Sequence, residues 1–399
     1  METTIESPSV AKKKIRYHLL TGAEAAATAM QQVNPDVVSV YPITPQTPII
    51  QTFSKYVANG KATTEIINVE SEHSAMSAAV GAATAGARTM TATASQGLAL
   101  MIEVVYIASS MRLPIVMAIG NRALSGPINI HCDHSDSMLA RDSGAVQIFV
   151  ENAQEAYDFM VMASRLAEHE KVLLPVMICQ DGFTITHTAE PVLTLDDNIV
   201  KDFVGDYQIP YPLLNLDKVT TQGPFDMPDY YFEHKRQQQE AMEAFPDALE
   251  KITEEYAKIT NRSYSALDTY KLNDAERAIV ALGSTAGTVK DIVDDLREKG
   301  EKVGVLKIRS FRPFPDQKVR EILSSLKSVA VFDRAMSFGS HGPLFSEVSR
   351  SLYGTDTKLS NYIYGLGGRD LFPKDIIKVF EELKQPSPQN DMNYIGLRS

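Results

Sequence analysis

The first half of the chain alternates short, continuous apolar segments with longer, Ala-rich segments of helical spacing. The apolar segments are Val37 to Pro42, Thr64 to Glu70, Arg88 to Ala94 and Leu113 to Gly120. Strands that are apolar along their whole length are typical of a parallel sheet covered by helices on both faces. The pattern therefore predicts an α/β fold. Because ligands of such folds bind at the carboxyl ends of the strands, the residues just after each segment are the candidates for a site.

Changes in this alternation predict four segments. A Pro-rich stretch, Gly205 to Pro228, interrupts the pattern, and we expect an extended arm there. A Glu- and Gln-rich helix should follow, broken near Pro246, and then a linker. The strand–helix alternation resumes afterwards as a second α/β domain. The predicted boundaries are 1–16 (N-terminal arm), 17–204 (first domain), 205–275 (arm and helical linker) and 276–399 (second domain).

Composition excludes several classes of function. The net charge is −11, from 39 Lys and Arg against 50 Asp and Glu, which argues against nucleic acid or an anionic membrane as the main partner. We find no signal peptide and no apolar run of about 20 residues, so we expect a cytoplasmic protein without a membrane span. Cys132 and Cys179 are the only cysteines. Without a CxxC pair, this chain alone cannot hold an iron–sulfur cluster or a Cys-based zinc site.

Three residues after predicted strands have side chains suited to binding or catalysis. Thr44, in a loop stiffened by two prolines, could bind a carboxylate or carbonyl oxygen, or it could cap the next helix. Glu72, after the predicted capping residue Ser71, could hydrogen-bond a heterocycle nitrogen, or it could be an ordinary first-turn glutamate. Arg122 could grip a planar carboxylate with two hydrogen bonds, or it could form a structural ion pair.

Two further segments are weaker candidates. The segment His131, Cys132, Asp133, His134, Ser135 and Asp136 is rich in possible metal ligands, but their spacing does not suit a metal ion, and we expect a loop stabilised by hydrogen bonds of the Asp and His side chains. The segment from Gly283 to Gly287 opens a predicted helix and would suit an anion, but it lacks the GxGxxG and GKS/GKT spacings of nucleotide sites.

Taken in order, the motifs resemble one family. YPITP, SEHSAMSAAVGAATAGARTMTATASQGLALM and NRALSGPINIHCDHSDSM are similar to the α subunit of 2-oxoacid:ferredoxin oxidoreductases, most of all the pyruvate:ferredoxin (pyruvate synthase) type. LLTGAEAAATAM near the start and RSFRPFP…AVFDRAMSFGSHGPLFSEV in the second half extend the resemblance over nearly the whole chain. It implies a pyrimidine-binding-type domain of thiamine diphosphate (TPP) enzymes followed by a transketolase C-terminal-like domain.

The resemblance also assigns expected roles to residues. It implies that Thr44 and Arg122 hold the carboxylate of the 2-oxoacid. Glu72 would contact N1′ of the TPP aminopyrimidine and act as the catalytic carboxylate. Ile43 of YPITP, and Ser95 and Gln96 of TASQGL, would line the cofactor cleft. No metal ligand is expected in this chain.

The resemblance implies that the enzyme is divided among subunits. The chain has no GDG run for Mg²⁺ and diphosphate and no cysteines for clusters, so Mg²⁺ and the [4Fe–4S] clusters would lie on β-, γ- and δ-type subunits. Pyruvate, coenzyme A and ferredoxin would be the substrates and the electron acceptor. The alternatives are a branched-chain substrate (2-oxoisovalerate), a non-catalytic scaffold subunit, and a nucleotide-binding protein that uses Gly283 to Gly287. The arm Gly205 to Pro228 would clamp a partner subunit.

Overall fold

The structure is a computed structural model that describes residues 16–207, 210–211, 213–217, 219–385 and 392–398. Of the predicted N-terminal arm at 1–16, Arg16 begins the first strand, and the remainder lies outside the described residues. None of the helices in the described ranges combines the length and apolar character needed to cross a bilayer.

Strands and helices alternate through both halves of the chain. The strands are β1 (Arg16–Thr21), β2 (Val37–Val40), β3 (Glu65–Asn68), β4 (Thr89–Thr93), β5 (Ile115–Asn121), β6 (Val146–Phe149), β7 (Val176–Asp181), β8 (Ala189–Thr194), β9 (Leu267–Tyr270), β10 (Arg277–Ala281), β11 (Val303–Ile308), β12 (Ser310–Arg312), β13 (Ser328–Asp333), β14 (Lys358–Ile363) and β15 (Met392–Tyr394). The helices are α1 (Gly22–Val33), α2 (Thr47–Ala58), α3 (Glu72–Ala85), α4 (Ser95–Ser110), α5 (Ser135–Leu139), α6 (Ala153–Glu168), α7 (Asp197–Val204), α8 (Pro228–Thr260), α9 (Thr285–Glu298), α10 (Asp316–Leu323), α11 (Pro343–Ser351) and α12 (Pro373–Glu382).

The first sheet has seven strands in the order β12-β6-β7-β5-β4-β2-β3. All neighbours pair in parallel except β12, which runs antiparallel to β6. The chain passes from β2 to β3 and then crosses back to place β4 on the other side of β2. This reversal opens a crevice at the carboxyl ends of the strands, which is where open α/β sheets bind ligands. The predicted α/β class is confirmed.

The second sheet has six strands in the order β15-β14-β13-β10-β11-β9 and is parallel except for β9. Strand β9, at Leu267–Tyr270, lies inside the span 205–275 that we expected to be arm and linker. The preceding residues are also well held, because Arg262 donates two hydrogen bonds, of 2.6 and 2.7 Å, to the buried carboxylate of Asp158. The second sheet therefore has an edge strand, β9, in the segment that was predicted to be a linker.

The predicted break near Pro246 is wrong, because α8 is continuous from Pro228 to Thr260. A proline inside a helix costs about 3 kcal/mol relative to alanine, since it removes a hydrogen bond and its ring crowds the preceding turn. Phe245, Leu249 and Tyr256 lie at helical spacing on both sides of the proline, and all three are buried in the first core. Burying each such side chain contributes roughly 1.5–3 kcal/mol, which offsets the penalty.

One apolar core spans the two α/β units, which are the parts of the chain built on the first and second sheets. Strand β12 comes from the second half of the chain but forms the edge of the first sheet beside β6. A single cluster of buried apolar side chains includes Phe149 and Met177 from the first unit and Phe311 and Val331 from the second. This continuous core fixes the orientation of the second unit against the first.

Buried charges strengthen the same junction. Lys307, fully buried on β11, lies 2.6 Å from the Glu155 carboxylate of α6 and 2.9 Å from that of Glu151. Arg309 donates a further hydrogen bond of 2.9 Å to Glu155. Burial opposes ionisation of Glu155, but the two cations outweigh it and lower its pKa to about 2. Glu155 is therefore ionised at neutral pH, while burial lowers the pKa of Lys307 against the opposing effect of Glu155 and Glu151.

Replacing Lys307 by Met should destabilise the purified chain by about 3 kcal/mol, because Glu155 and Glu151 lose a buried cation. The measurement is the urea midpoint of unfolding. Lys384→Met is the matched control, since that side chain is exposed and pairs with Glu301 and Glu381 at the surface. We expect the control to stay near the wild-type midpoint. Equal midpoints for both variants would contradict a structural role for the buried network.

Candidate active site

Four adjacent loops form the candidate site. Thr44 follows β2, Glu72 follows β3, Ser95 follows β4 and Arg122 follows β5. These strands are neighbours in the order β5-β4-β2-β3, and all pair in parallel, so their carboxyl ends lie at one edge of the sheet. Residues up to 78 positions apart in sequence thereby meet across the crevice opened by the chain reversal.

Thr44 and Arg122 are in direct contact. The peptide bond between Thr44 and Pro45 is cis, and the Thr44 carbonyl accepts a hydrogen bond of 2.9 Å from Arg122 Nη1. The Thr44 side chain is exposed, and α2 begins three residues later, after Gln46, so Thr44 does not cap this helix. The capping alternative is therefore wrong.

The guanidinium of Arg122 is held in place by carbonyl groups. Nε donates to the Asn129 carbonyl at 2.9 Å, and Nη1 donates to Thr44. Within the described ranges Arg122 forms no ion pair. The alternative of a structural ion pair is therefore wrong for these residues. Burial lowers the pKa of Arg122, and Asp136 opposes this effect, but an arginine with this partner stays charged at neutral pH. Its remaining nitrogen, Nη2, is left for a ligand.

Glu72 is buried but has no donor for its carboxylate among the described residues. It is the first residue of α3, and Ser71 caps this helix by accepting from the Ser74 amide at 3.3 Å. Only 7% of Glu72 is exposed. An ordinary first-turn glutamate faces water, whereas Glu72 is largely enclosed by protein and its carboxylate oxygens remain accessible from the crevice. Glu72 thus has both the helix position and the burial expected of a group that binds a ligand.

Gly97, in the first turn of α4, gives Glu72 its space. A Cβ atom at Gly97 would lie 2.7 Å from Glu72 Oε1 and 2.4 Å from Thr93 Oγ1. Thr93 Oγ1 is itself buried without a hydrogen-bond partner. The carboxylate and the hydroxyl therefore lie together against a helix turn that only a glycine permits.

Ser95 and Gln96 tie the start of α4 to the loop after β5. Ser95 is fully buried, and its hydroxyl lies 2.5 Å from the Ala123 carbonyl and 2.6 Å from Gln96 Oε1. The Gln96 amide donates to the Ser125 hydroxyl. Ser95 also has a φ of 48°, a left-handed conformation that is uncommon for a residue with a side chain. Ile43 lies half-buried in the opposite loop, where its carbonyl accepts from the Gln46 amide.

Asp136 connects these loops. It is fully buried on α5, and its Oδ2 accepts from the amides of Ser95 and Arg122 at 2.9 and 3.0 Å. Its Oδ1 accepts from Asn121 Nδ2 at 2.9 Å. Burial raises the pKa of Asp136 to about 6, against the lowering effect of these hydrogen bonds. Sequence analysis placed Asp136 only in a motif and missed this connection, as it missed Gly97, because both depend on contacts between distant segments.

The segment from His131 to His134 is a hydrogen-bonded loop, as expected. His134 Nε2 lies 2.7 Å from Asp181 Oδ1, and Arg334 of the second unit donates to Asp181 Oδ2 at 3.0 Å. Burial opposes ionisation of Asp181, but His134 and Arg334 hold its pKa well below the usual range. Cys132, His134 and Asp181 have ligand atoms within 4.8 Å of one another, but the arginine already neutralises the carboxylate that a cation would need. The loop joins the two units beside the candidate site.

The site's polar groups fit a bound heterocycle and an acid. A buried carboxylate without a donor can accept from a ring N–H, and a fixed arginine can hold a carboxylate. Set on the carboxyl edge of a parallel sheet, this arrangement is compatible with the pyrimidine-binding-type domain that the sequence resemblance implies. Comparison with models of known protein families identifies the class of protein. Residues 28–254 match the family model described as pyruvate flavodoxin/ferredoxin oxidoreductase, thiamine diphosphate-binding, and residues 275–376 match pyruvate:ferredoxin oxidoreductase core domain II.

The chain therefore belongs to the pyruvate:ferredoxin oxidoreductase family. It is 56% identical over 382 residues to pyruvate synthase subunit PorA of Thermotoga maritima, covering 95% of this chain and 97% of that protein. PorA of Methanocaldococcus jannaschii is 46% identical over 95% of this chain and 98% of its own length. Ketoisovalerate oxidoreductase subunit VorA of Pyrococcus horikoshii is 40% identical over 92% of this chain and 93% of its own. All three relatives are named as subunits.

A solved structure supports the fold. The 2-oxoglutarate:ferredoxin oxidoreductase from Magnetococcus marinus, determined with 2-oxoglutarate, coenzyme A and succinyl-CoA bound, superposes with a TM-score of 0.74 at 20% identity. The match covers 92% of this chain, which spans 65% of the length of that chain. Together with the family models, it supports a thiamine diphosphate-binding α/β domain followed by a second α/β domain.

Gly97→Ala should displace the Glu72 carboxylate, because the added methyl would overlap it. In the assembled complex we expect kcat with pyruvate to fall about 100-fold, the scale of a misplacement of about 1 Å in an active site. Gly287→Ala is the control: it also adds a methyl to a helix, but away from the candidate site, where the nearest atom is Glu151 Oε1 at 3.2 Å. Wild-type turnover by Gly97→Ala would mean that Glu72 does not need this position.

Proposed function

We propose that this chain supplies the pyrimidine-side and substrate-carboxylate-binding half of a TPP-dependent pyruvate:ferredoxin oxidoreductase. The assembled enzyme converts pyruvate and coenzyme A to acetyl-CoA and carbon dioxide, reversibly, and passes the electrons to ferredoxin. The observation that carries the proposal is the largely enclosed Glu72, whose carboxylate has no donor among the described residues, on the same sheet edge as the fixed Arg122 guanidinium. A cytoplasmic location stays a prediction from the sequence.

Glu72 is the proposed catalytic carboxylate. Glu72 is enclosed and has no donor among the described residues, so its carboxylate suits a hydrogen bond with N1′ of the TPP aminopyrimidine. This bond would give the carboxylate the partner that the protein does not supply. Bound in this way, TPP supplies the carbon nucleophile for attack on the 2-oxo group. Glu72 fixes the protonation state of the ring, and Gly97 keeps room for the carboxylate. Ile43, Ser95 and Gln96 would line the cofactor cleft from the two flanking loops.

Arg122 and Thr44 are the proposed binding groups for the substrate carboxylate. Carbonyl groups hold two of the Arg122 nitrogens, so its orientation is set before the substrate arrives. Nη2 and the exposed Thr44 hydroxyl are then available to the carboxylate that is lost. A preorganised cation of this kind favours the geometry in which the carboxylate leaves without further rearrangement.

A partner subunit has to complete the site. The chain has no GDG run and no cysteine pair, so we assign Mg²⁺–diphosphate binding and the [4Fe–4S] clusters to β-, γ- and δ-type subunits. Helices α3 and α4 begin at the site and pack side by side. Exposed small residues on α3 (Ser77 and Gly81) and exposed apolar residues on α4 (Leu100, Tyr106 and Ile107) suit close helix packing. This face is the proposed contact for the subunit that binds the diphosphate.

The arm Gly205 to Pro228 is a second proposed contact. Its described residues carry large apolar side chains in the solvent, among them Leu216 at 90% and Phe225 at 91% exposure. The Leu213 amide donates to the Thr84 carbonyl near the end of α3, so the arm adjoins the α3/α4 face. Exposed apolar groups of this extent are typical of surfaces that become buried in a complex.

Pyruvate is the preferred substrate. Identity to the Thermotoga maritima pyruvate synthase subunit is 56%, compared with 40% to the Pyrococcus horikoshii ketoisovalerate subunit. The branched-chain 2-oxoacid remains the second candidate, since the same arginine and threonine would bind its carboxylate. Comparing kcat/KM for pyruvate and 2-oxoisovalerate in the assembled enzyme distinguishes the two.

Glu72→Gln in the assembled complex should lower pyruvate-dependent ferredoxin reduction at least 100-fold, because the amide keeps the shape but cannot fix the ring's protonation state. Glu70→Gln is the matched control, with the same charge change two residues away on an exposed side chain. Size-exclusion chromatography checks that both complexes assemble. Full activity of an assembled Glu72→Gln complex would support the scaffold alternative instead.

The purified chain without its partners should neither bind TPP tightly nor decarboxylate pyruvate, because it holds half of the site. Calorimetry with TPP and Mg²⁺, and turnover with an artificial electron acceptor, measure this. Adding the partner subunits should restore both. Turnover by the single chain would refute the division of the site.

A further inference from the structure

We propose that Asp136 is a positioning residue that holds the substrate-binding and cofactor-binding sides of the site in one fixed geometry. The inference rests on the proposed function, since it needs Arg122 and Glu72 to act as described there. Asp136 touches neither ligand-binding side chain directly. It acts through the backbone of the loops that carry them.

A single oxygen atom makes the connection. Asp136 Oδ2 accepts from the amide of Ser95, the first residue of α4, and from the amide of Arg122, the first residue after β5. Oδ1 accepts from Asn121 Nδ2 at 2.9 Å and from the Ser137 amide at 2.7 Å. Because Asp136 is fully buried, water cannot replace these bonds when they are lost.

Both loops need this restraint. Ser95 has a φ of 48°, which a residue with a side chain adopts only when its surroundings impose it. Two residues later, Gly97 lies against the Glu72 carboxylate. A relaxation of Ser95 would therefore move the helix turn that packs on Glu72. On the other side, the carbonyl groups of Thr44 and Asn129 hold the Arg122 side chain, and Asp136 accepts from its backbone amide.

The charge of Asp136 matters for this role. All four of its partners donate N–H groups, and only an ionised carboxylate accepts from all of them. Burial raises the pKa of Asp136 to about 6, so the group is ionised at neutral pH. Asn has the same shape, but in either orientation its NH₂ group would face two donors. The titratable groups that face Asp136 are Asp133 and Cys132 on its own loop, Arg122 after β5 and Cys179 on β7.

The test is Asp136→Asn in the assembled complex. We expect KM for pyruvate to rise at least tenfold and kcat/KM to fall about 100-fold, with KM for coenzyme A unchanged. Asp133→Asn is the matched control. Asp133 is also buried in the same loop, but it accepts from Ser135 and from the Gly367 amide of the second unit rather than from the site loops. We expect the control to keep KM for pyruvate within about threefold of wild type.

The outcomes separate the possible failures. Equal effects of the two Asn variants, with KM for pyruvate unchanged, would overturn the positioning role. Arg122→Gln tests the proposed function by itself: if it leaves KM for pyruvate unchanged, the carboxylate assignment fails whatever Asp136 does. If the complex carrying Asp136→Asn does not assemble, the pH dependence of KM for pyruvate in the wild-type complex tests the proposal instead. KM for pyruvate should then rise between pH 7 and 5.5 as Asp136 is protonated, and a constant KM over that range would reject the proposal.

Discussion

Parallel pairing of β5, β4, β2 and β3 is the constraint on which the site depends. Parallel strands need long crossover connections, so their carboxyl ends collect loops that are far apart in sequence. Thr44, Glu72, Ser95 and Arg122 meet for this reason. The chain reversal between β2 and β4 then leaves a crevice between the loops instead of filling it with a connection. Sheet topology thus determines the position of the candidate site, whatever side chains the loops carry.

Around that edge, most of the polar side chains bind the protein itself. Two nitrogens of Arg122 donate hydrogen bonds to carbonyl groups. The carboxylates of Asp136 and Asp181 accept hydrogen bonds from other residues of the chain. Buried polar groups satisfied in this way make the loops rigid. Glu72 differs from them because no described residue donates to its carboxylate. Among the carboxylates described at this edge, Asp136 and Asp181 are held by donors of the protein and Glu72 is not, which marks Glu72 as the group open to a ligand.

Sequence predicted the parts of the structure that depend on local pattern. Apolar strands placed Thr44, Glu72 and Arg122 at one sheet edge, and the motifs identified the family. Contacts between distant segments were not predictable. Gly97 matters because Glu72 lies against it, and nothing in its own helix marks it. Pro246 reads as a helix breaker until the packing of its neighbours is known. Strands β9 and β12 are short edge strands whose partners lie elsewhere in the chain, so their sequences carry little periodicity.

The antiparallel strand β12 has a consequence for how such chains can be divided. The two family models meet between residues 254 and 275, which suggests modules that could exist separately. Yet β12 lies beyond that boundary and covers the edge of β6 in the first sheet. A chain cut there would leave one edge of β6 unpaired, since the other edge pairs with β7, and would expose part of a shared core. Although the family models divide the chain in two, the modules are therefore joined by a sheet and by a core, and β12 belongs structurally to the first sheet.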